Sequence, residues 1–244
     1  MYGMYGYGYG YGLDPTIILV LIGVALSLWA QGRVNSTFSR YSRVRSMTGM
    51  TGAEAARRLL NAQGIYDVTV QQIAGELTDH YDPRTKTVNL SQSVYGATSV
   101  AAIGVAAHEC GHAMQDNEGY APLRFRSALV PVANFGSSLS WPLILLGLVF
   151  GGLGSPLVEI GILMFSLAVL FQLVTLPVEY NASARAVRLL DAQGILAGEE
   201  VNGTRKVLNA AALTYVAALL MSALQLLRYV LIFVGRNNRG RRDN

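Results

Sequence analysis

Four runs of this 244-residue chain, residues 16–30, 129–150, 157–178 and 208–234, are too continuously apolar for the surface of a water-soluble protein. A hydrocarbon core about 30 Å thick takes roughly 20 apolar residues to cross as a helix, a form that satisfies every backbone polar group internally. The last three runs meet that length. The first reaches it with Leu13 or Gln31 at its edge, with local thinning of the bilayer, or with both. Between the second and third runs the uncharged "GGLGSP" reads as the turn of a helical hairpin, and Arg228 lies close enough to the end of the fourth run to snorkel. Charged residues make up only 14% of the chain, low for a soluble protein, so the expected class is a mainly α membrane protein with about four transmembrane helices.

Basic residues flank these runs and set an orientation. Arg33, Arg40, Arg43 and Arg45 follow the first, Arg124 and Arg126 precede the second, and Arg185, Arg188, Arg205 and Lys206 separate the third from the fourth. Held on the cytoplasmic side, they place the N-terminus outside and leave Arg236, Arg239, Arg241 and Arg242 outside as exceptions. A re-entrant or surface-lying last run would remove those exceptions. No Lys or Arg precedes the first run and no small-residue cleavage site follows it, so it reads as a retained anchor rather than a signal peptide. The single cysteine excludes an intramolecular disulfide and fits a reducing compartment. A net charge of +4 gathered beside membrane runs is accounted for by anionic lipid, so the lipid bilayer is an expected partner and nucleic acid is not.

The chain divides into five expected segments. Residues 1–31 hold a Tyr/Gly tail, "MYGMYGYGYGYG", which cannot form a packed core, and the first membrane helix. Residues 32–126 form a cytoplasmic segment long enough for a small α+β domain. Residues 127–178 are the membrane hairpin, 179–207 a further helix and loop, and 208–244 the last membrane helix with a basic tail. Within the second segment "TGAEAARRLLNAQGI" predicts a helix with Thr51 as cap and Gly64 as stop, a pattern echoed by "AVRLLDAQGI". "YDVTVQQI" and "KTVNLS", separated by the turn-rich "DHYDPRT", predict a short antiparallel pair.

The same segment carries "SVAAIGVAAHECGHAMQD", Ala-rich and free of proline, which predicts a helix capped near Thr98 or Ser99. Two of the chain's three histidines, His108 and His112, then stack one turn apart on one face and can share one metal ion. Glu109, rotated by roughly 100° from His108, stands beside such an ion, where a carboxylate can take a proton from the activated water and hand it to a leaving amine. This is the H-E-x-x-H pattern of zinc peptidases, and packing histidines at a helix surface are its bland alternative. Cys110 points away from both histidines and reads as a packing residue.

A catalytic zinc needs a third protein ligand and an open position. His80, in "TDHYDP", is a candidate for ligand or, with Tyr81, for a site-lining donor. Glu118 lies too near His112 in the chain, Glu199 and Glu200 sit in a solvated loop, and Glu159 falls on the far side of the membrane. Glu179, in "LPVEYNASARA", stands where the third run ends, on the same side as the histidine helix. It is a candidate ligand, with Asn181 and Ser183 close enough to hydrogen-bond it or its neighbours, or else a carboxylate that favours a helix N-terminus. Asp116, one turn past His112, is a candidate supporting residue.

"DHYDPRTKTVNLSQSVYGATSVAAIGVAAHECGHAMQD" and "LPVEYNASARAVRLLDAQGIL", with the apolar runs around them, resemble the bacterial membrane zinc metallopeptidases of the YugP type over residues 13–234. The resemblance implies His108, His112 and Glu179 as ligands of one catalytic Zn²⁺, Glu109 as general base, and the bacterial cell membrane as location. In more distantly similar membrane peptidases an aspartate follows the ligand glutamate by four residues, where this chain has Ser183.

The expected protein is a membrane-bound zinc-dependent endopeptidase acting on protein or peptide substrates, its site facing the cytoplasm and its "KTVNLS" strand pairing with substrate by edge addition. The alternative is a catalytically inactive zinc-binding membrane scaffold. A transporter is disfavoured, because Glu159 and Arg228, the only ionisable residues that come close to mid-span, lie near run ends. Substrate identity and oligomeric state are not encoded in any motif.

Overall fold

The computed structural model describes residues 15–152 and 155–240, the last six of these by their backbone alone. The Tyr/Gly tail, the centre of the "GGLGSP" turn and the extreme C-terminus lie outside the described residues. The elements run α1 (Ile17–Tyr41), α2 (Gly52–Ala62), β1 (Thr69–Ile73), β2 (His80–Asp82), β3 (Thr87–Ser91), α3 (Gln92–Tyr95), α4 (Val100–Asn117), α5 (Ala121–Gly151), α6 (Pro156–Ala192) and α7 (Glu199–Gly240).

Helices α1, α5, α6 and α7 are long and apolar enough to cross a membrane. They pack as a row, α1 on α7, α7 on α6 and α6 on α5. Large apolar side chains such as Leu28, Trp29, Phe135 and Phe150 stay exposed along it, as lipid-facing residues do. α5 and α6 run antiparallel, with Gly147 against Val158 and Gly136 against Met164. At Gly161 the backbones come so near that an added Cβ would stand 2.9 Å from the Ser140 carbonyl, the close approach that membrane helices obtain from small residues.

The extramembrane part is built around α4. Its Ser99 cap accepts a hydrogen bond from the Ala102 amide, and thirteen of the residues from Val100 to Gln115 besides Glu109 are buried. The small Ala and Gly residues of α4 let α2, α6 and α7 all approach it closely, and Leu59, Leu60, Ile103, Leu190 and Ile195 fill the core around it. Thr51 and Glu54 close a reciprocal capping box at the start of α2. Gly64 and Gly194, both at positive φ, stop α2 and α6 so that Ile65 and Ile195 turn back into the core.

The sheet departs from expectation. β1 and β3 pair in parallel, with Thr69 opposite Thr87, and residues 80–82 of the supposed link form a third strand antiparallel to β3. The order is β1-β3-β2. A tight reversal follows β2, with the Asp82 carboxylate accepting from the Arg84 amide and Lys86 at a φ of 51°; β1 therefore reaches the sheet from the other side. The "KTVNLS" strand, β3, is consequently central and buried along its length, with both edges occupied. It cannot add a substrate strand; the edge next to α4 belongs to β2.

α6 is one continuous helix from within the bilayer-length apolar run through Glu179 to Ala192. The boundary expected at 178/179 falls inside it.

Candidate metal centre

α4 and α6 cross where both are smallest. A Cβ on Gly111 would stand 2.6 Å from the Ala182 carbonyl oxygen, so only glycine allows this approach. The crossing sets His108 and His112, one turn apart on α4, against Glu179 on α6. Glu179 Oε2 lies 3.2 Å from His108 Nε2 and 3.5 Å from His112 Nε2. One donor atom from each of the three lies within 4.8 Å of the others. The edge of a tetrahedron around zinc with ligands at 2.0–2.1 Å is about 3.3 Å, so these separations suit one ion.

The polar surroundings say which atoms are free to bind it. Gln115 is fully buried; its Nε2 donates to the Val178 carbonyl at 2.9 Å and to Asn181 Oδ1 at 2.9 Å. A carbonyl can only accept, so the amide nitrogen faces α6 and Gln115 Oε1 faces His112 Nδ1, 3.0 Å away. That oxygen in turn requires the proton on Nδ1, which leaves the His112 Nε2 lone pair aimed at the Glu179 carboxylate. Either a proton or a metal ion can bridge the two atoms, and with Nδ1 committed to Gln115 it is Nε2 that faces the shared point. On His108, Nδ1 sits 3.1 Å from Ser183 Oγ, again leaving Nε2 toward Glu179.

Electrostatics agree with this arrangement. Burial opposes charge on His112, yet the Glu179 carboxylate beside it holds the imidazole above its ordinary value, so the position favours positive charge. Burial pushes the Glu109 carboxyl upward, partly opposed by the two histidines, as suits a group that must take up a proton. Glu179 Oε1 faces Arg126, whose Nη2 is 3.6 Å away. The Nε of Arg126 is buried and makes no hydrogen bond among the described residues.

Two cavities meet at this point. One of about 840 Å³ is walled by β2 with its following turn and by the Arg126 to Asn134 face of α5. The other, about 270 Å³, is walled by α1 and α7. Asp79, His108, Glu109, Glu179 and Tyr215 line both, so the cleft passes His108, Glu109 and Glu179 on two sides, while His112 lines the larger cavity only.

His80 stands apart from the cluster, exposed, with Nδ1 beside the Thr78 carbonyl and Nε2 beside Asn89; it lines the larger cavity. Tyr81 donates to Asp116, which also receives Lys86, so Asp116 secures the sheet to α4 and supports neither histidine. Cys110 is buried with its Sγ toward the Ala56 carbonyl. Glu118 pairs with Arg185. Sequence reasoning missed Gln115, although its spacing of three from His112 puts it on the same face. It also missed Arg126 and Tyr215, which no local pattern marks.

A histidine pair and a helix-borne glutamate that could hold a metal, on a chain with four helices long and apolar enough to cross a membrane, are the parts of a membrane metallopeptidase of the H-E-x-x-H class. The chain belongs to the family described as "Putative neutral zinc metallopeptidase", whose model matches residues 16–234. It is 49% identical over 228 residues, 93% of this chain and 99% of the other, to a Bacillus subtilis (strain 168) protein described as "Putative membrane protease YugP". No solved structure matches.

Proposed function

We propose that the protein is a membrane-bound zinc endopeptidase in which His108, His112 and Glu179 hold the metal and Glu109 is the general base. The observation that carries this is the convergence of Nε2 of His108 and of His112 on the buried Glu179 carboxylate, 3.2 and 3.5 Å away, with Nδ1 of His112 held by Gln115. A zinc ion held by these three residues would supply a Lewis acid for the scissile carbonyl and lower the pKa of a bound water. Glu109 lines both cavities, takes the proton of the attacking water, and returns it to the leaving amine nitrogen as the peptide C–N bond breaks. Arg126, with its unused Nε, donates to the negative charge developing on the carbonyl oxygen.

A cleft continuing on both sides of Glu109 accommodates chain in both directions from the cut bond, which supports internal cleavage. The free edge of β2 lies along the larger cavity and offers backbone groups to an extended substrate. The side of the membrane that carries the site also carries the ten basic residues flanking the runs, which supports a cytoplasmic site.

The test is cleavage of a denatured protein substrate by detergent-purified chain, with bound zinc measured on the same samples. Glu109→Gln is expected to keep its zinc and lose activity by a factor of about 10² to 10⁴. Retention of both by this variant would leave the inactive-scaffold or another chemistry in its place.

A further inference from the structure

On the opposite face of the α1–α7 pair from the cleft lies a cavity of about 670 Å³. Gln31 and Val34 of α1 face the metal-centre side, whereas Arg33 and Arg40 of the same helix line this second space, joined by Lys206 from α7. Among the described residues none of these three cations is paired with a carboxylate, and no acidic residue lines the cavity. Thr37, Asn209 and the Tyr180 hydroxyl add neutral hydrogen-bonding groups, and Ala210 and Leu213 add an apolar part.

The position along the helices is the second observation. α1 changes from apolar to polar just before Arg33, α7 changes from polar to apolar just after Lys206, and α6 changes from apolar to polar between Val178 and Tyr180. All three helices therefore reach the bilayer boundary at this cavity. Three cations without a carboxylate partner among the described residues, one of them, Arg40, lying over the Tyr41 ring, are gathered with hydroxyl and amide groups as a phosphate group requires, and the apolar residues at the bilayer edge provide for what that group is attached to.

We propose that this cavity is a headgroup site for an anionic glycerophospholipid, whose phosphate bridges Arg33 and Arg40 on α1 to Lys206 on α7. None of these residues contacts the metal centre, and the site does not depend on the peptidase reading. Occupancy ties α1 to α7 and so braces one wall of the cleft.

The test is thermal unfolding of the full chain in uncharged detergent, titrated separately with phosphatidylglycerol, phosphatidylcholine and inorganic phosphate. Phosphatidylglycerol is expected to raise Tm saturably and phosphatidylcholine is not. The R33Q/R40Q/K206Q variant is expected to keep its lipid-free Tm and need at least about tenfold more phosphatidylglycerol for half the effect. Should that variant not purify, the R40Q/K206Q pair is judged by the same criterion, with R84Q as a control that responds like the wild type. An undiminished response in the variant, or an equal response to phosphatidylcholine, would overturn the proposal. Full stabilisation by inorganic phosphate alone would overturn its lipid part by showing a site for the free anion.

Discussion

Ser183 stands one helical turn beyond Glu179 with its Oγ 3.1 Å from Nδ1 of His108. At the position where more distant membrane peptidases carry an aspartate, this chain uses a hydroxyl, and the hydroxyl reaches the first histidine of the motif. Orienting partners of this kind are commonly worth a factor of about 10 to 100 in metal affinity. Ser183→Ala should therefore bind zinc about 10- to 100-fold more weakly in competition with a chromophoric chelator, while its unfolding transition barely moves.

Removing the ligands themselves should act more severely. His112→Ala and Glu179→Ala are expected to purify without stoichiometric zinc, as measured by metal analysis of detergent-solubilised protein. Zinc retained at wild-type occupancy in Glu179→Ala would reassign the third ligand.

Gln115→Leu tests the buried amide. It strands the Val178 carbonyl's partner bond and releases His112 Nδ1 from its acceptor. A loss of about 1–3 kcal/mol is expected from the broken buried bonds, together with weakened zinc binding. Chemical denaturation of the metal-free protein separates the two effects.

Gly111→Ala places a Cβ 2.6 Å from the Ala182 carbonyl oxygen, a backbone atom that cannot swing aside. α4 and α6 must part, at a cost of about 1–3 kcal/mol, and the histidines move away from Glu179. Zinc affinity should fall even though no ligand has changed. Gly32→Ala on α1, where nothing lies within 4 Å, is the matched control.

Arg126→Gln is expected to keep zinc and lower kcat/KM by about 10² or more, with the loss mainly in kcat. A change confined to KM would instead make Arg126 a substrate-binding group.

The apolar runs, the capped α4 helix and the glycine stops were legible because each depends on residues close in sequence. Glu179 was conspicuous for a related reason, a carboxylate at the end of a membrane run among apolar neighbours, whereas the contact of Ser183 with His108 depends on the α4–α6 crossing and was not legible. Strand order was not, because residues 80–82 hold both turn-forming and strand-forming side chains and only the closed sheet decides between them. Arg126 looked like one more positive flank, and Tyr215 like one aromatic in an apolar helix. Their place in the cleft comes from how α5 and α7 lean around α6, which no short window of sequence contains.

The converging side chains come from two physically different parts of the chain, His108 and His112 from the extramembrane helix and Glu179, 71 residues after His108, from a bilayer-crossing one. A ribosome finishes the H-E-C-G-H helix well before it has made α6, and no excised soluble fragment contains all three groups. The three groups therefore cannot meet until α6 has been made and packed against α4, so the metal-holding geometry is a product of the assembled membrane bundle and not of the motif helix alone.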